Sequence, residues 1–223
     1  LDNPNAEIFL DAAAEDELLI LALQKTLMPN AAVEELVVLL RRAIMAEVAQ
    51  TASLRDELQP LCLAIAKYAD RTGFALAAED DEERLAATIN ESIMAQFAVG
   101  EPQEALIGSL MISAMYGALF HQNFAVQLGQ WNLVDWPLAM QPIMAASYYN
   151  RAEEEAIKQN FDEKAEELCL EKTDVPQAWP AWSQLAYRTE TSLKAVMAQE
   201  LGLNTDNLPA TLRIMVCGAQ SGQ

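Results

Sequence analysis

Residues 31–49 of the chain read AAVEELVVLLRRAIMAEVA, and this stretch decides the fold class. Its apolar residues recur at the three- and four-residue spacing of an amphipathic helix. They form one face: Val33, Leu36, Val37, Leu40, Ile44 and Val48. Asn30 can cap the N-terminus of this helix, and two glutamates follow near the positive end of its dipole. On this pattern Arg41 and Arg42 lie off the apolar face.

The same helical spacing continues on both sides of this segment. It predicts seven further helices, at about residues 16–27, 60–71, 79–99, 102–116, 138–149, 151–171 and 183–201. Gly73 and Gly100 are placed to end two of them. Residues 117–136 and 174–182 are rich in turn-forming and aromatic residues, which predicts irregular connections. We therefore predict an all-α fold, an irregular bundle of about eight helices.

The last twenty residues have a different composition. Residues 212–217, read as Leu-Arg-Ile-Met-Val-Cys, form the best strand candidate of the chain, and a glycine-containing loop follows. This predicts one orphan β-strand at the C-terminus. We expect a helical domain over residues 1–203 and the start of a second domain over residues 204–223.

The net charge and the cysteine content restrict the classes of partner and the cellular compartment that we expect. The 223 residues include 14 Lys and Arg against 33 Asp and Glu, a net charge of −19. Such a surface argues against nucleic acid and against anionic membranes as partners. The chain contains no run of 18 apolar residues, and its three cysteines are scattered, so we expect a cytoplasmic protein that does not enter a membrane.

The scarce reactive residues exclude several chemistries. His121 is the only histidine, so HExxH metalloprotease motifs and zinc sites with two histidines are ruled out. No two of the three cysteines, Cys62, Cys169 and Cys217, have the CxxC spacing, which rules out zinc ribbons and thioredoxin-like chemistry. We predict no catalytic residue and no metal site in this chain, and we expect Cys62 to be a small core residue.

Three other features leave alternatives open. His121 is a surface or satisfied buried residue, or a functional one. Glu153–Glu155 form a solvated helix face or a metal site, although consecutive helical positions point about 100° apart. The chain has four tryptophans, Trp131, Trp136, Trp179 and Trp182. They either line a binding groove or pack loops against the helical body. The same two alternatives apply to residues 148–151.

Residues 214–223, IMVCGAQSGQ, resemble motif I of the class I S-adenosylmethionine-dependent methyltransferases. In that family a strand leads into a G-x-G-x-G loop that holds the cofactor. Gly218 and Gly222 match the first and third glycines, and Gln220 stands at the second. The resemblance implies that Gly218 and Gly222 are cofactor-binding residues in a longer parent protein, which would bind S-adenosylmethionine.

Residues 15–223 also resemble the helical region that precedes the methyltransferase domain in certain bacterial tetratricopeptide-linked methyltransferase-like proteins. The matching segments are residues 33–43 and 61–66, followed by Phe74 shortly before Glu79. The resemblance implies an accessory domain for substrate recognition or regulation, cut off at motif I. Alone, this chain would bind no cofactor and catalyse nothing, and its partner would be another protein or its own missing catalytic domain.

Two alternatives come from other functional classes, and the orphan strand adds a question of assembly. One alternative is a standalone all-α module that binds a basic or amphipathic peptide, steered by its acidic surface. The other is a binder of an apolar ligand in a cavity lined by methionines and aromatic side chains. An unpaired strand either pairs with its copy, which gives a homo-oligomer, or is disordered.

Overall fold

The computed structural model describes residues 4–28, 30–167, 193–199 and 204. The chain divides into two units, Leu1–Pro180 and Ala181–Gln223. The described helices of the first unit are α1 (Pro4–Glu15), α2 (Glu17–Lys25), α3 (Ala31–Thr51), α4 (Gln59–Arg71), α5 (Asp80–Val99), α6 (Gln103–Tyr116), α7 (Ala125–Leu128), α8 (Gln141–Met144) and α9 (Asn150–Glu167). In the second unit, α10 (Leu193–Gln199) is described.

The all-α prediction is confirmed for the part of the chain that the structure describes. That part contains eight helices of seven residues or more and no strand. The strand candidate at residues 212–217 lies outside the described residues, as do Gly218 and Gly222. The expected boundary after residue 203 falls where only Asn204 is described, and it stays a prediction.

Helix α4 lies at the centre of the first unit and contacts α1, α2, α3, α6 and α8. Nearly every side chain from Leu61 to Arg71 is buried, including Cys62 and Tyr68. A helix that is buried on nearly all sides needs neighbours on all sides, and these helices supply them. Helix α6 makes the most extensive contact with it, and its own residues from Leu110 to Met115 are all buried.

Local signals mark the helix ends where the sequence predicts them. The Asp16 side chain accepts a hydrogen bond from the Leu19 N–H at 2.9 Å, and the Asn30 side chain accepts one from Ala32 N–H at the same distance. Gly100 ends α5 in the left-handed conformation with φ 74°. After α4, Gly73 (φ 64°) and Phe74 (φ 59°) are both left-handed, which turns the chain sharply.

Two elements differ from the sequence-based expectation. Helix α1 was not predicted, since residues 4–15 contain few large apolar residues, yet Leu10 is buried in the core. The two helices expected at 138–149 and 151–171 form one continuous run from α8 into α9. A π-helical turn at Ala145–Tyr149 joins them, and it shifts the register of the side chains that follow.

Candidate functional site

Helices α3, α5 and α6 meet at a buried ionic cluster, which we define as Arg41, Glu82 and Tyr116. Arg41 is 2% exposed and Glu82 is 5% exposed. One terminal nitrogen of Arg41 lies 3.4 Å from a Glu82 carboxylate oxygen and also donates to the Ala77 carbonyl. The guanidinium carbon lies 4.4 Å from the centre of the Tyr116 ring, a cation–π contact. The Tyr116 hydroxyl donates to the same Glu82 oxygen at 3.0 Å.

The second oxygen of Glu82 faces the edge of the cluster. It accepts hydrogen bonds from Arg42 Nε at 2.8 Å and from the Glu79 N–H at 3.1 Å, and Arg42 also pairs with the Glu79 carboxylate. Burial alone raises the pKa of the Glu82 carboxyl. The hydrogen bonds from Arg42 and Glu79 and the charge of Arg41 outweigh burial, so this pKa lies below its ordinary value.

The ionic cluster is structural in character. Both oxygens of Glu82 have partners, and burial raises the pKa of Tyr116 well above its ordinary value, so neither group is free to exchange a proton with a substrate at neutral pH. Arg41 was placed off the apolar face of α3, yet it is buried. Its charge is buried because Glu82, 41 positions away, supplies the counter-charge.

Arg71 has a structural role at the end of α2. Its guanidinium donates to the carbonyl oxygens of Leu23, Gln24 and Thr26, which lie in and just beyond the last turn of that helix. The last carbonyls of a helix lack partners within it and carry the negative end of its dipole. The buried guanidinium of Arg71 supplies hydrogen-bond donors to three carbonyls at the end of α2. Because Arg71 belongs to α4, these bonds also hold α2 against α4.

The remaining arginines of residues 7–160 also bind within the protein. Arg55 binds Glu47 through two hydrogen bonds of 2.6 and 3.0 Å and binds Asp11 at 2.9 Å. Arg151 lies 2.6 Å from Asp70, and Arg84 donates to the Asp80 carbonyl of its own helix. Within residues 7–160, every guanidinium is therefore committed to an internal contact.

The carboxylates of the same region are far more numerous than these arginines can balance. Residues 7–160 contain 23 Asp and Glu against nine Lys and Arg, a net charge of −14. Seventeen of these acidic residues are exposed, from Glu7 in α1 to Glu153 in α9. The outer surface of this region is therefore strongly negative.

Two of the reactive residues singled out from the sequence, His121 and Cys62, lie in the described residues. His121 is exposed, and its ring lies 5.3 Å from that of Phe120. Cys62 is fully buried in α4 with its sulfur 3.6 Å from the Met115 sulfur, and burial raises the pKa of its thiol. Among the residues whose placement is described, no group of three potential metal ligands occurs, at Glu153–Glu155 or elsewhere.

Trp131 and Trp136 pack against the helical body. Their ring centres lie 5.4 Å apart, and Trp131 also contacts Phe97 of α5 at 5.6 Å. Trp136 Nε1 donates to the Tyr149 hydroxyl at 3.0 Å, which donates in turn to the Trp131 carbonyl at 2.7 Å. For these two tryptophans the packing alternative is confirmed. Trp179, Trp182, Cys169 and Cys217 lie outside the described residues.

The outer side of the same segment carries a feature that the sequence analysis missed. Val126, Val134 and Leu138 are 86%, 79% and 84% exposed, more than any other large hydrophobic residue among those described. The signal was present in the sequence, because residues 117–150 contain one carboxylate, Asp135, and no lysine or arginine.

Comparison with known proteins adds no assignment to these features. No helix in the described ranges is both long enough and apolar enough to cross a membrane. No family model matches the chain, and no curated protein or solved structure is significantly similar to it.

Proposed function

We propose that this chain is a non-catalytic recognition domain that binds a basic protein segment on behalf of a class I S-adenosylmethionine-dependent methyltransferase domain. The observation that carries the binding role is the charge distribution of residues 7–160. Every arginine there binds within the protein, while seventeen carboxylates face solvent. A surface of one sign attracts partners of the other sign and speeds their association.

The methyltransferase link rests on residues 214–223 and on the resemblance of the helical body. Gly218 and Gly222 would begin the cofactor loop, and the residues that complete the cofactor site would belong to the rest of that domain. The helical domain then supplies recognition or regulation beside it. We propose the cytoplasm as its compartment, which scattered unpaired cysteines favour.

A binding measurement with short peptides tests the recognition role. The chain is titrated with a labelled lysine-rich peptide and with its glutamate-substituted counterpart, and fluorescence anisotropy is followed. We expect binding of the lysine peptide only, weakening as salt rises towards the physiological range, because salt screens exposed charges. Equal affinity for both peptides, or no affinity for either at low salt, would contradict the recognition role.

Calorimetry tests whether this chain binds the cofactor without a catalytic domain. Titration of the chain with S-adenosylmethionine is expected to produce no binding heat, since Gly218 and Gly222 are only the beginning of a cofactor loop. Micromolar binding would place the cofactor site within this chain and would overturn the proposed accessory role.

A standalone interaction module is the second candidate, and the same acidic surface favours it. The two candidates differ in what the gene encodes beyond codon 223. Continuation into a second strand that ends in an acidic residue supports the methyltransferase parent, because such a residue binds the ribose hydroxyls in nucleotide-binding folds of this type. A stop codon directly after Gln223 supports the standalone module.

A further inference from the structure

Three cations lie together where helices α2 and α4 meet, although the chain carries a net charge of −19. Lys67 and Arg71 are four positions apart in α4, so they share one face of that helix. The Arg71 guanidinium binds the carbonyls of Leu23 and Gln24, and the next residue is Lys25, the last of α2. We define Lys25, Lys67 and Arg71 as the cationic cluster.

The charges of the cationic cluster act on one another. Burial lowers the pKa of the Lys67 ammonium, and the positive charges of Lys25 and Arg71 lower it further. Lys25 is exposed and Lys67 is partly buried, so the cluster reaches the surface of the protein. The three side chains therefore form one patch of positive potential.

The carboxylates near the cationic cluster do not balance it. Among the described residues, neither Lys25 nor Lys67 forms an ion pair. Asp70 of α4 attracts Arg71, but its carboxylate is bound at 2.6 Å by Arg151 of α9. One carboxylate is therefore shared between two arginines, and the two lysines keep their charges without a counter-charge.

Capping of α2 explains only part of this concentration of charge. The C-terminal end of a helix carries about half a negative charge, which favours cations near it. Arg71 alone already donates to three carbonyls at that end. Two further lysines exceed what the helix end can balance, so a ligand of opposite charge would relieve their repulsion.

We propose that the cationic cluster binds a small dianion of the kind that a phosphate group presents. Lys25 and Lys67 supply ammonium donors from two different helices, and the charge of Arg71 adds to the attraction. The acidic residues elsewhere on the surface repel such an anion only weakly, since the Debye length at physiological salt is about 8 Å. This site is separate from the acidic surface proposed to bind a basic segment.

Three single variants of the whole chain test the site. K67M and K25M each remove one ammonium of the cluster, and methionine keeps most of the apolar stem. K158M is the matched control, because it removes the same charge from an exposed position in α9. Arg71 stays unchanged, since it holds α2 against α4.

Isothermal titration calorimetry with inorganic phosphate measures the affinity, with sodium chloride keeping the ionic strength constant. We expect K158M to bind within about twofold of the unchanged chain, K25M about threefold more weakly and K67M about tenfold more weakly. The larger loss belongs to Lys67 because a partly buried contact to a charge is worth more than an exposed one. Phenyl phosphate is the second probe, and tighter binding of it than of inorganic phosphate identifies a phosphate ester as the ligand class.

Acetylation locates the bound anion independently of the variants. The chain is treated briefly with acetic anhydride, with and without phosphate, and peptide mass spectrometry gives the rate at each lysine. Phosphate should slow the reaction of Lys67 and Lys25 at least about threefold and leave that of Lys158 unchanged, because a bound anion holds the ammonium in its charged, unreactive form.

Three outcomes would overturn the site. These are the absence of phosphate binding to the unchanged chain, equal affinity of K67M and the unchanged chain, and equal protection of Lys67 and Lys158. None of them affects the recognition role, which is measured with peptides. Failure of the lysine-rich peptide to bind would likewise leave the phosphate site standing.

Discussion

Replacing Glu82 with glutamine should destabilise the fold because it leaves the charge of Arg41 buried without a counter-charge. Removing one partner of a buried ion pair costs about 3–5 kcal/mol. Glutamine keeps one oxygen that can accept from Arg42, and Arg41 keeps the Ala77 carbonyl and the Tyr116 ring. We therefore expect the lower end of that range, about 3 kcal/mol.

Urea unfolding followed by far-ultraviolet circular dichroism measures this change. With a denaturant slope of about 2–3 kcal/mol per molar urea, the loss moves the midpoint down by about 1 M. Glu83→Gln is the matched control, because Glu83 also lies in the first turn of α5 but is exposed. It shares the helix-dipole contribution and should cost less than about 1 kcal/mol.

A second variant identifies the origin of the loss. If the unpaired charge of Arg41 causes it, then the double variant R41M/E82Q should be more stable than the sum of the two single losses predicts, by about 1 kcal/mol or more. Additive losses would show that packing, and not the ion pair, determines the cost.

Acid provides an independent check on the same carboxyl. Since the pKa of Glu82 is lower in the folded chain than in the unfolded chain, its contribution to stability is complete above the unfolded pKa and disappears as pH falls through the folded pKa. The difference in stability between the unchanged chain and E82Q should therefore be full at neutral pH and shrink below about pH 4. A difference that stays constant down to acid pH, or an E82Q loss no larger than that of E83Q, would refute the reasoning.

Three further outcomes follow from other contacts. Arg71→Met should lower the free energy of unfolding by about 2–4 kcal/mol, because three carbonyls at the end of α2 lose their donor. Thermal unfolding measures this loss. An equal loss in the variant Arg84→Met, at an exposed arginine, would contradict the capping role of Arg71. Tyr149→Phe should cost about 1–3 kcal/mol by urea unfolding, because Trp136 Nε1 and the Trp131 carbonyl lose their shared partner, whereas Tyr148→Phe should have little effect. Cys62 should react with a maleimide at least about a hundredfold more slowly in the folded chain than in denaturant, because its thiol is buried. Mass spectrometry of the peptide that contains Cys62 measures the two rates. Equal rates would show that α4 is accessible to the reagent.

The candidate site was only partly predictable from sequence. The scarcity of charge over residues 117–150, where Asp135 is the one residue among Asp, Glu, Lys and Arg, is visible in the sequence, but which of the apolar residues face outward is not. Trp136 and Val134 lie two positions apart, and one is buried while the other is exposed. Short turns without a fixed period give no pattern from which this difference could be calculated.

The sequence by itself determined most of the helices, with α1 as an exception, and several of their ends. Helical spacing is a local property, and Asp16, Asn30 and Gly100 act on backbone groups within a few residues of themselves. The tertiary structure alone decided the burial of Arg41 and Arg71, because their partners lie 36 to 48 positions away in the chain. A charge can leave water only where another element supplies its partner, so the spacing on one helix could not reveal that these two arginines belong to the core.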